Sequence, residues 1–221
     1  MPARLKVGCL SLGLTWGLVT ALGQAVDATV KPSEIMLESK GTYRGAPVVH
    51  ATFVEAGPKI DGDLGDDVWQ KALPAGEMFQ IFPGDKVPAS EATEFRVLYD
   101  DNALYIGVWC YDSEPGKIIA RSMSRDDYPF EDDHLYIAID SFLDYRNGYA
   151  FATNANGCRW DGLIINNSFA GGSWDAIWEC KSRTTGEGWF SEIAIPFNSI
   201  SFDPNKTAWG FNISRNIRRK N

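Results

Sequence analysis

Short apolar segments with a period of two residues recur along the chain, and turn-forming residues separate them. From Leu104 onward, for example, aliphatic side chains alternate with the aromatic Tyr105 and Trp109. The other segments predicted as strands are residues 48–55, 91–99, 134–141, 149–153, 162–166, 176–182, 189–195 and 208–217. This alternation is the pattern of β-strands, and turn signals at such short intervals indicate antiparallel pairing. We therefore expect an all-β fold, a jelly-roll-like antiparallel β-sandwich with one or two short helical turns.

The first 25 residues have the composition of a secretory signal peptide. Arg4 and Lys6 precede a nearly continuous apolar run over residues 7–22, and small residues follow at the positions that a signal peptidase reads. The run is short for a membrane span, although an uncleaved anchor fits the same pattern. We expect cleavage after Ala25 and export to the periplasm, the outer membrane or the extracellular space.

The remaining chain divides into a linker and one domain. Residues 26–47 are polar with scattered Pro and Gly, which is typical of a linker. The strand pattern then runs from residue 48 to residue 221, so one domain is the simplest division. We expect a helical turn within residues 63–71, with Asp63 as its N-terminal cap.

Composition excludes several classes of function. The net charge is −8, which argues against a nucleic-acid partner, because phosphate contacts need clustered cations. The only histidines are His50 and His134, which leaves little material for a His-rich metal site or a His-dependent triad. Aromatic residues make up 13% of the chain, a share that favours strands and surfaces for carbohydrate or a protein partner.

Cysteine usage leaves two alternatives open. Cleavage after residue 25 would leave Cys110, Cys158 and Cys180. One disulfide among the three is compatible with export, and the pairing is not determined by the sequence. Buried unpaired thiols fit equally well, and the spacing does not suggest zinc.

Five motifs in the same order resemble the carbohydrate-binding modules of family 9. They are residues 60–63 (IDGD) followed by Trp69, residues 95–100 (FRVLYD), residues 135–140 (LYIAID), residues 188–196 (GWFSEIAIP) and residues 209–213 (WGFNI). The resemblance covers about residues 58–216. It implies a β-sandwich that binds polysaccharide or oligosaccharide without catalysis, in connection with carbohydrate catabolism, and often holds structural calcium.

Three further segments resemble a narrower group of bacterial envelope proteins. They are residues 125–126 (RD), residues 174–178 (WDAIW) and residues 215–219 (RNIRR), and Asp144 with residues 149–151 (YAF) lies between the first two. In that group a family 9-like domain precedes a carboxy-terminal domain of unknown function, expected to be an outer-membrane β-barrel. The resemblance implies a second hypothesis: a structural or interaction domain without sugar affinity, truncated at its carboxy end, whose partner is a downstream β-barrel.

Sugar recognition needs flat aromatic faces for the CH-rich side of a pyranose and planar polar groups for its hydroxyls. The predicted ligand-binding residues are Phe130, Tyr136, Trp160, Trp174, Arg125, Asp133 and Asn154. By the resemblance, Phe130 stands where sugar-binding members have a tryptophan, and Tyr136 where they have a glutamate. Ala152 stands where they have an arginine, so the sugar chemistry of the family carries over only in part.

Acidic residues suggest two other kinds of site, a calcium site and a pair of catalytic carboxylates. Asp61, Asp63 and Asp66 lie close together between glycines, a composition that suits a Ca²⁺ ion, although solvated turn carboxylates are the simpler interpretation.

Hydrolysis of an O-glycosyl bond needs two facing carboxylates, and the candidates are Asp133, Asp161 and Glu192. We favour a structural role for these acids. Hydrolase activity would then come from an attached or partner domain.

Overall fold

The computed structural model describes residues 6–7, 17–21, 42–43, 46–84, 86–127, 129–169 and 174–220. Its strands are β1 (Lys6–Val7), β2 (Gly17–Ala21), β3 (Thr42–Tyr43), β4 (Ala46–Phe53), β5 (Phe79–Gln80), β6 (Val87–Pro88), β7 (Thr93–Tyr99), β8 (Ala103–Tyr111), β9 (His134–Asp140), β10 (Gly148–Asn154), β11 (Trp160–Ile165), β12 (Ser168–Phe169), β13 (Glu179–Thr185), β14 (Gly188–Pro196) and β15 (Ala208–Asn216). Its helices are short and of 3-10 type: Asp67–Lys71, Pro115–Lys117, Pro129–Glu131, Phe197–Ser199 and Arg218–Lys220.

The strands form two layers that are joined through β4. One layer has the order β12-β11-β10-β9-β15-β2-β1-β4, and the other continues from β4 as β7-β8-β14-β13. β4 runs parallel to β7, with Thr52 opposite Leu98, whereas most other pairs are antiparallel. The predicted β-sandwich is therefore confirmed, and β5 and β6 form a separate hairpin outside it.

One apolar core lies between the two layers. It contains Val97 and Ile106 from one layer and Ile137 and Phe151 from the other, all essentially inaccessible to solvent. The rings of Phe95 and Phe211 stack across the layers at a centroid distance of 5.9 Å. Burial of these alternating side chains drives the assembly of the two layers, because each strand can bury only one of its faces in this core.

The predicted helical turn begins later than expected. The 3-10 helix covers Asp67–Lys71, and Asp63 does not cap it. The Asp63 carboxylate instead accepts a hydrogen bond from the backbone N–H of Gly65 at 3.1 Å. An aspartate carboxylate that accepts a hydrogen bond from the backbone N–H two residues later stabilises a turn. The helix can therefore begin only after that turn.

Three strands lie in the segments predicted as signal peptide and linker. β1 and β2 fall within residues 1–25, β3 falls within residues 26–47, and most of both segments lies outside the described residues. Cleavage after Ala25 would remove β1 and β2 from between β15 and β4. The signal peptide and linker stay predictions. No helix in the described part of the chain has the length and hydropathy needed to cross a bilayer.

The three cysteines of the described domain are free and buried. Burial raises the pKa of the Cys110 thiol to about 12, and it does the same for Cys158. The Cys180 Sγ lies 3.2 Å from the hydroxyl of Thr153. These thiols are protonated at neutral pH, so they pack as small apolar groups and not as reactive nucleophiles.

Basic residues at the carboxy end pair with buried carboxylates. Arg219 donates two hydrogen bonds to Asp112, at 2.7 and 2.8 Å, and Lys220 donates one to Glu91 at 2.6 Å. Ser113 also donates to Glu91, from its hydroxyl at 2.6 Å and its backbone N–H at 3.0 Å. The last turn is therefore fastened to the start of β7 and the end of β8.

We expect Glu91→Gln to flatten the acid side of the pH–stability profile. Burial alone would raise the pKa of Glu91, but the hydrogen bonds from Lys220 and Ser113 outweigh it and lower the pKa from 4.5 to about 2. A carboxyl group whose pKa is lowered by folding stabilises the protein above its unfolded pKa. This contribution is lost as the pH falls from about 5 towards 2. Urea unfolding between about pH 7 and 2 measures it.

The matched control for this experiment is Glu187→Gln, because Glu187 is exposed. It should leave the pH profile of the parent chain unchanged. Equal acid sensitivity in the parent and Glu91→Gln would contradict the expected role of Glu91.

Candidate functional site

An aromatic cluster covers the side of β9, β10 and β11 that faces away from the core. Strand alternation places small residues on this side, and larger rings pack over them. We call this cluster the aromatic face; it consists of Phe130, Tyr136, Tyr145, Trp160, Ala138, Ala150, Ala152 and Ile164. Because the alanines of this face are small, aromatic rings from a strand and from a turn can lie against the sheet.

The strand register sets the geometry of the aromatic face. Tyr136 and Trp160 both lie opposite Ala152, one on each side, so they stand two strand spacings apart, about 9.6 Å. Phe130, from the 3-10 turn before β9, lies between them. Its ring centroid is 6.2 Å from that of Tyr136 and 5.4 Å from that of Trp160.

Solvent exposure differs among the three rings. Trp160 is only 7% exposed, whereas Phe130 and Tyr136 are half-buried. Phe130 also packs on His134 at a centroid distance of 4.9 Å. Burial lowers the pKa of His134, which is therefore neutral at pH 7. A ligand that approaches this face would meet Phe130 and Tyr136, with Trp160 as the support beneath them.

Trp174 lies on the other side of the sheet. Its ring centroid is 4.8 Å from that of Tyr149 and 6.1 Å from that of Phe151. Both partners alternate along β10 with Ala150 and Ala152, so they point towards the core and not towards the aromatic face. The structure therefore does not bring Trp174 together with Phe130 and Trp160.

Arg125 fastens the segment before β13. Its guanidinium donates hydrogen bonds to the Asp161 carboxylate at 3.1 Å and to the Ala176 carbonyl at 2.8 Å, and it pairs with Asp175. The same Asp161 carboxylate accepts from the indole N–H of Trp178 at 2.8 Å. Arg125 is thus engaged in holding this segment against β11.

Asn154 is likewise engaged inside the fold. Its amide N–H group donates to the Asp132 carboxylate and to the Ser122 carbonyl, each at 2.8 Å. Its amide oxygen accepts from the backbone N–H groups of Asn156 and Cys158 at 3.0 and 3.2 Å. The side chain is also fully buried. Its hydrogen bonds therefore have a structural role, because they connect β10 to the segment before β9.

The three carboxylates considered for glycoside hydrolysis belong to three separate networks. Asp161 is held by Arg125 and Trp178, and Asp133 accepts from the backbone N–H of Arg218 at 2.9 Å. Glu192 lies on β14, in the other layer. These networks give each acid a structural partner set of its own.

Glu192 explains the motif at residues 60–63. Its carboxylate accepts hydrogen bonds from the backbone N–H groups of Asp61 at 2.9 Å and Gly62 at 2.8 Å. It also accepts from the indole N–H of Trp69 at 3.0 Å. Burial raises the pKa of Glu192. The motif therefore folds a loop and a tryptophan onto one buried acid of the sheet.

The three carboxylates predicted to hold calcium are each engaged by other groups of the protein. Asp61 pairs with Lys59 at 2.9 Å, Asp63 pairs with Arg183 at 3.0 Å, and Asp66 accepts from the backbone N–H of Lys59 at 3.1 Å. Among the described residues, no group of three or more His, Cys, Asp or Glu side chains is arranged to hold a metal ion. This arrangement lends no support to the calcium site predicted at these residues, and calcium binding by this protein stays a prediction.

The polar side chains of β15 that lie beside the aromatic face were not predicted from the sequence. Ser214 lies opposite Tyr136, and Asn212 lies opposite Ala138. The signal was present in the alternation of β15, where Trp209, Phe211 and Ile213 point inward and the residues between them point outward. The alternation does not show which strand lies beside β15. Only the pairing of β15 with β9 shows that the outward residues of β15 lie beside the aromatic face.

Comparisons with solved structures agree with this fold. A carbohydrate-binding module of family 9 from Caldicellulosiruptor kristjanssonii, in complex with cellotriose, is 21% identical; the match covers 74% of this chain and 75% of that chain with a TM-score of 0.52. The same values hold for the complex with glucose, with 76% of that chain covered. A protein of Bacteroides uniformis ATCC 8492 is 12% identical over 76% of this chain and 83% of that chain, with a TM-score of 0.57. At these identities the likeness concerns the fold alone.

Sequence comparison identifies the family. No curated protein matches the chain. The model of the carbohydrate family 9 binding domain-like family matches residues 60–221, which is most of the chain and all of the sandwich after β4. The five motifs that predicted this resemblance lie inside the matched range. The chain therefore belongs to the carbohydrate family 9 binding domain-like family.

Proposed function

We propose that this protein binds a neutral oligosaccharide or polysaccharide at the aromatic face, without converting it. The observation that carries the proposal is the pair of partly exposed rings, Phe130 and Tyr136, which pack together against the sheet. Sugars bind to such surfaces because their CH-rich faces lose contact with water against an aromatic ring. The net charge of −8 favours a neutral sugar over an anionic one.

Family membership supports the class of ligand. The modules from Caldicellulosiruptor kristjanssonii were solved with cellotriose and with glucose. We therefore propose β-glucan fragments as the first ligands to test. Export and participation in polysaccharide breakdown belong to the same proposal, as does the absence of catalysis, which the separate networks of Asp133, Asp161 and Glu192 support.

One observation favours the second candidate, a structural domain that precedes an outer-membrane β-barrel. Arg125 and Asn154 were predicted to bind sugar hydroxyls, but they form hydrogen bonds to other groups inside the fold. Asp133 is fully buried. The polar side chains that the register places beside the aromatic face, Asn212 and Ser214, come instead from β15. The loss of these polar partners counts against a sugar, whose hydroxyls need oriented polar groups, and so favours the structural domain.

Tyr136→Ala is expected to weaken sugar binding by about tenfold, because one stacking ring is lost from the aromatic face. Phe130→Ala should weaken it to a similar extent. Isothermal titration with cellotriose, cellobiose, glucose and xylan fragments, with and without Ca²⁺, measures both effects and also tests the calcium prediction.

Tyr111→Ala is the matched control, since Tyr111 is a half-buried tyrosine on β8 in the other layer. It should bind sugar as tightly as the parent chain. Unchanged affinity in Tyr136→Ala and Phe130→Ala would exclude the aromatic face as the site. A folded chain that gives no heat with any of these sugars would favour the structural domain.

A further inference from the structure

The hairpin of β5 and β6 exposes an unusual amount of apolar surface. Four large side chains within nine residues face solvent: Phe79 is 54% exposed, Ile81 49%, Phe82 68% and Val87 43%. Such residues scattered singly over a surface are ordinary, but a contiguous group marks a contact site. Neither the aromatic face nor the core of the sandwich includes any of them.

These side chains point to both sides of the hairpin. Phe79 pairs with Pro88, and Gln80 pairs with Val87. Directly opposed residues share a face, and alternate residues along a strand share it too. Phe79 and Val87 therefore project on opposite sides of the paired strands, and Ile81 and Phe82 lie in the connection between those strands. A hairpin that is apolar on both sides suits immersion in an apolar medium better than contact with one flat surface.

The base of the hairpin is fastened to the sandwich. Ala75 and Phe95 exchange two backbone hydrogen bonds, at 2.9 and 2.7 Å, and the Ala89 N–H donates to the Met78 carbonyl at 3.1 Å. Met78 also packs against the main core. The exposed tip is thus a projection with a fixed base, and it can enter a surface without unfolding the domain.

The size and chemistry of the tip argue against a protein partner. The exposed parts of four such side chains amount to on the order of 400 Å², about half of what each partner of a stable dimer buries. The described part of the hairpin has no Trp, Tyr or Arg, the residues that dominate binding energy at protein interfaces. Lys86 is exposed and suits the phosphate of a lipid headgroup.

We propose that the tip of this hairpin inserts into the interfacial region of a lipid bilayer. Zwitterionic lipid is the expected partner, because a net charge of −8 is repelled by anionic lipid. Phe79, Ile81, Phe82 and Val87 enter the boundary between headgroups and acyl chains, while the sandwich stays in water. This contact is independent of sugar binding, since the aromatic face shares no residue with the hairpin.

Vesicles of phosphatidylcholine provide the test. The double variant Ile81→Ser/Phe82→Ser should partition into them at least about tenfold more weakly than the parent chain. Ile177→Ser is the matched control, because Ile177 is a single isoleucine outside the hairpin that is 81% exposed. It should partition like the parent. Circular dichroism in the near ultraviolet confirms that all three chains share one fold.

A fluorescent probe reports on the hairpin directly. An environment-sensitive dye on a cysteine introduced by Phe82→Cys, in a chain that also carries Cys9→Ser, should shift to shorter wavelength on adding vesicles. The buried native thiols do not compete for the label. The same dye introduced by Ile177→Cys should not shift.

Two results would overturn the proposal. One is equal partitioning of the double variant and the parent, with no shift of the dye at position 82. The other is a parent chain that sediments as a dimer and a double variant that sediments as a monomer, which would make the hairpin an interface between copies. Sugar titrations on the double variant should match the parent whichever result is obtained.

Discussion

Replacing Glu192 by alanine is expected to lower the free energy of unfolding by about 3–5 kcal/mol. The substitution leaves three donors without an acceptor: the backbone N–H groups of Asp61 and Gly62 and the indole N–H of Trp69. Trp69 is fully buried, so no water replaces the lost partner at the indole. Urea unfolding followed by circular dichroism measures the change.

Two further variants separate the hydrogen bonds from the charge. Glu192→Gln keeps one acceptor oxygen and should lose less stability than Glu192→Ala. Glu179→Ala removes an exposed glutamate from the neighbouring strand β13 and should change stability by less than about 0.5 kcal/mol. If Glu192→Ala were as stable as Glu179→Ala, the buried acid would not organise the loop at residues 60–63.

Gly188→Ala is expected to lower the free energy of unfolding by about 3 kcal/mol or more. Gly188 has a φ of +141°, and a Cβ at this position would lie 2.1 Å from the carbonyl oxygen of Cys110 and 3.0 Å from the backbone nitrogen of Asp112. The first contact is with the backbone of β8 and the second with the residue that follows it, and β8 pairs with β14 along its whole length. Relief of the clash therefore requires the two central strands to separate.

Gly186→Ala is the matched control, two residues away in the same turn. A Cβ there would meet nothing within 4 Å, so the change should stay within about 0.5 kcal/mol. Thermal unfolding of the two variants beside the parent makes the comparison. Similar losses in both would mean that flexibility of the turn, and not the approach of β14 to β8, sets the effect.

The strands could be predicted from the sequence because their signal is local. Alternation predicted residues 134–141 and 189–195, and the structure has β9 at His134–Asp140 and β14 at Gly188–Pro196. Inward and outward faces follow from the same period of two. The helical turn near Asp63 was misplaced, because competition between a turn and a helix is settled by a few local hydrogen bonds of similar strength.

The candidate site could be predicted only in part. Phe130, Tyr136 and Trp160, all predicted to bind ligand, lie together on one face, whereas Trp174 lies across the sheet from them, and their binding to sugar stays a prediction. Residue types suited to sugar contacts do not reveal which side of a strand faces solvent once a second layer has packed. Ser214, opposite Tyr136, could be assigned to this face only when the partner of β15 was known.

The sequence by itself determined the all-β class, most strand boundaries, and the family, because these depend on patterns within a few residues and on motif order. Only the tertiary structure decided what the polar residues do. Asp161 meets Arg125 across 36 positions of the chain, and Glu192 meets Asp61 across 131. A buried polar group must find a partner, and packing of the two layers decides which distant group lies within hydrogen-bond distance of it.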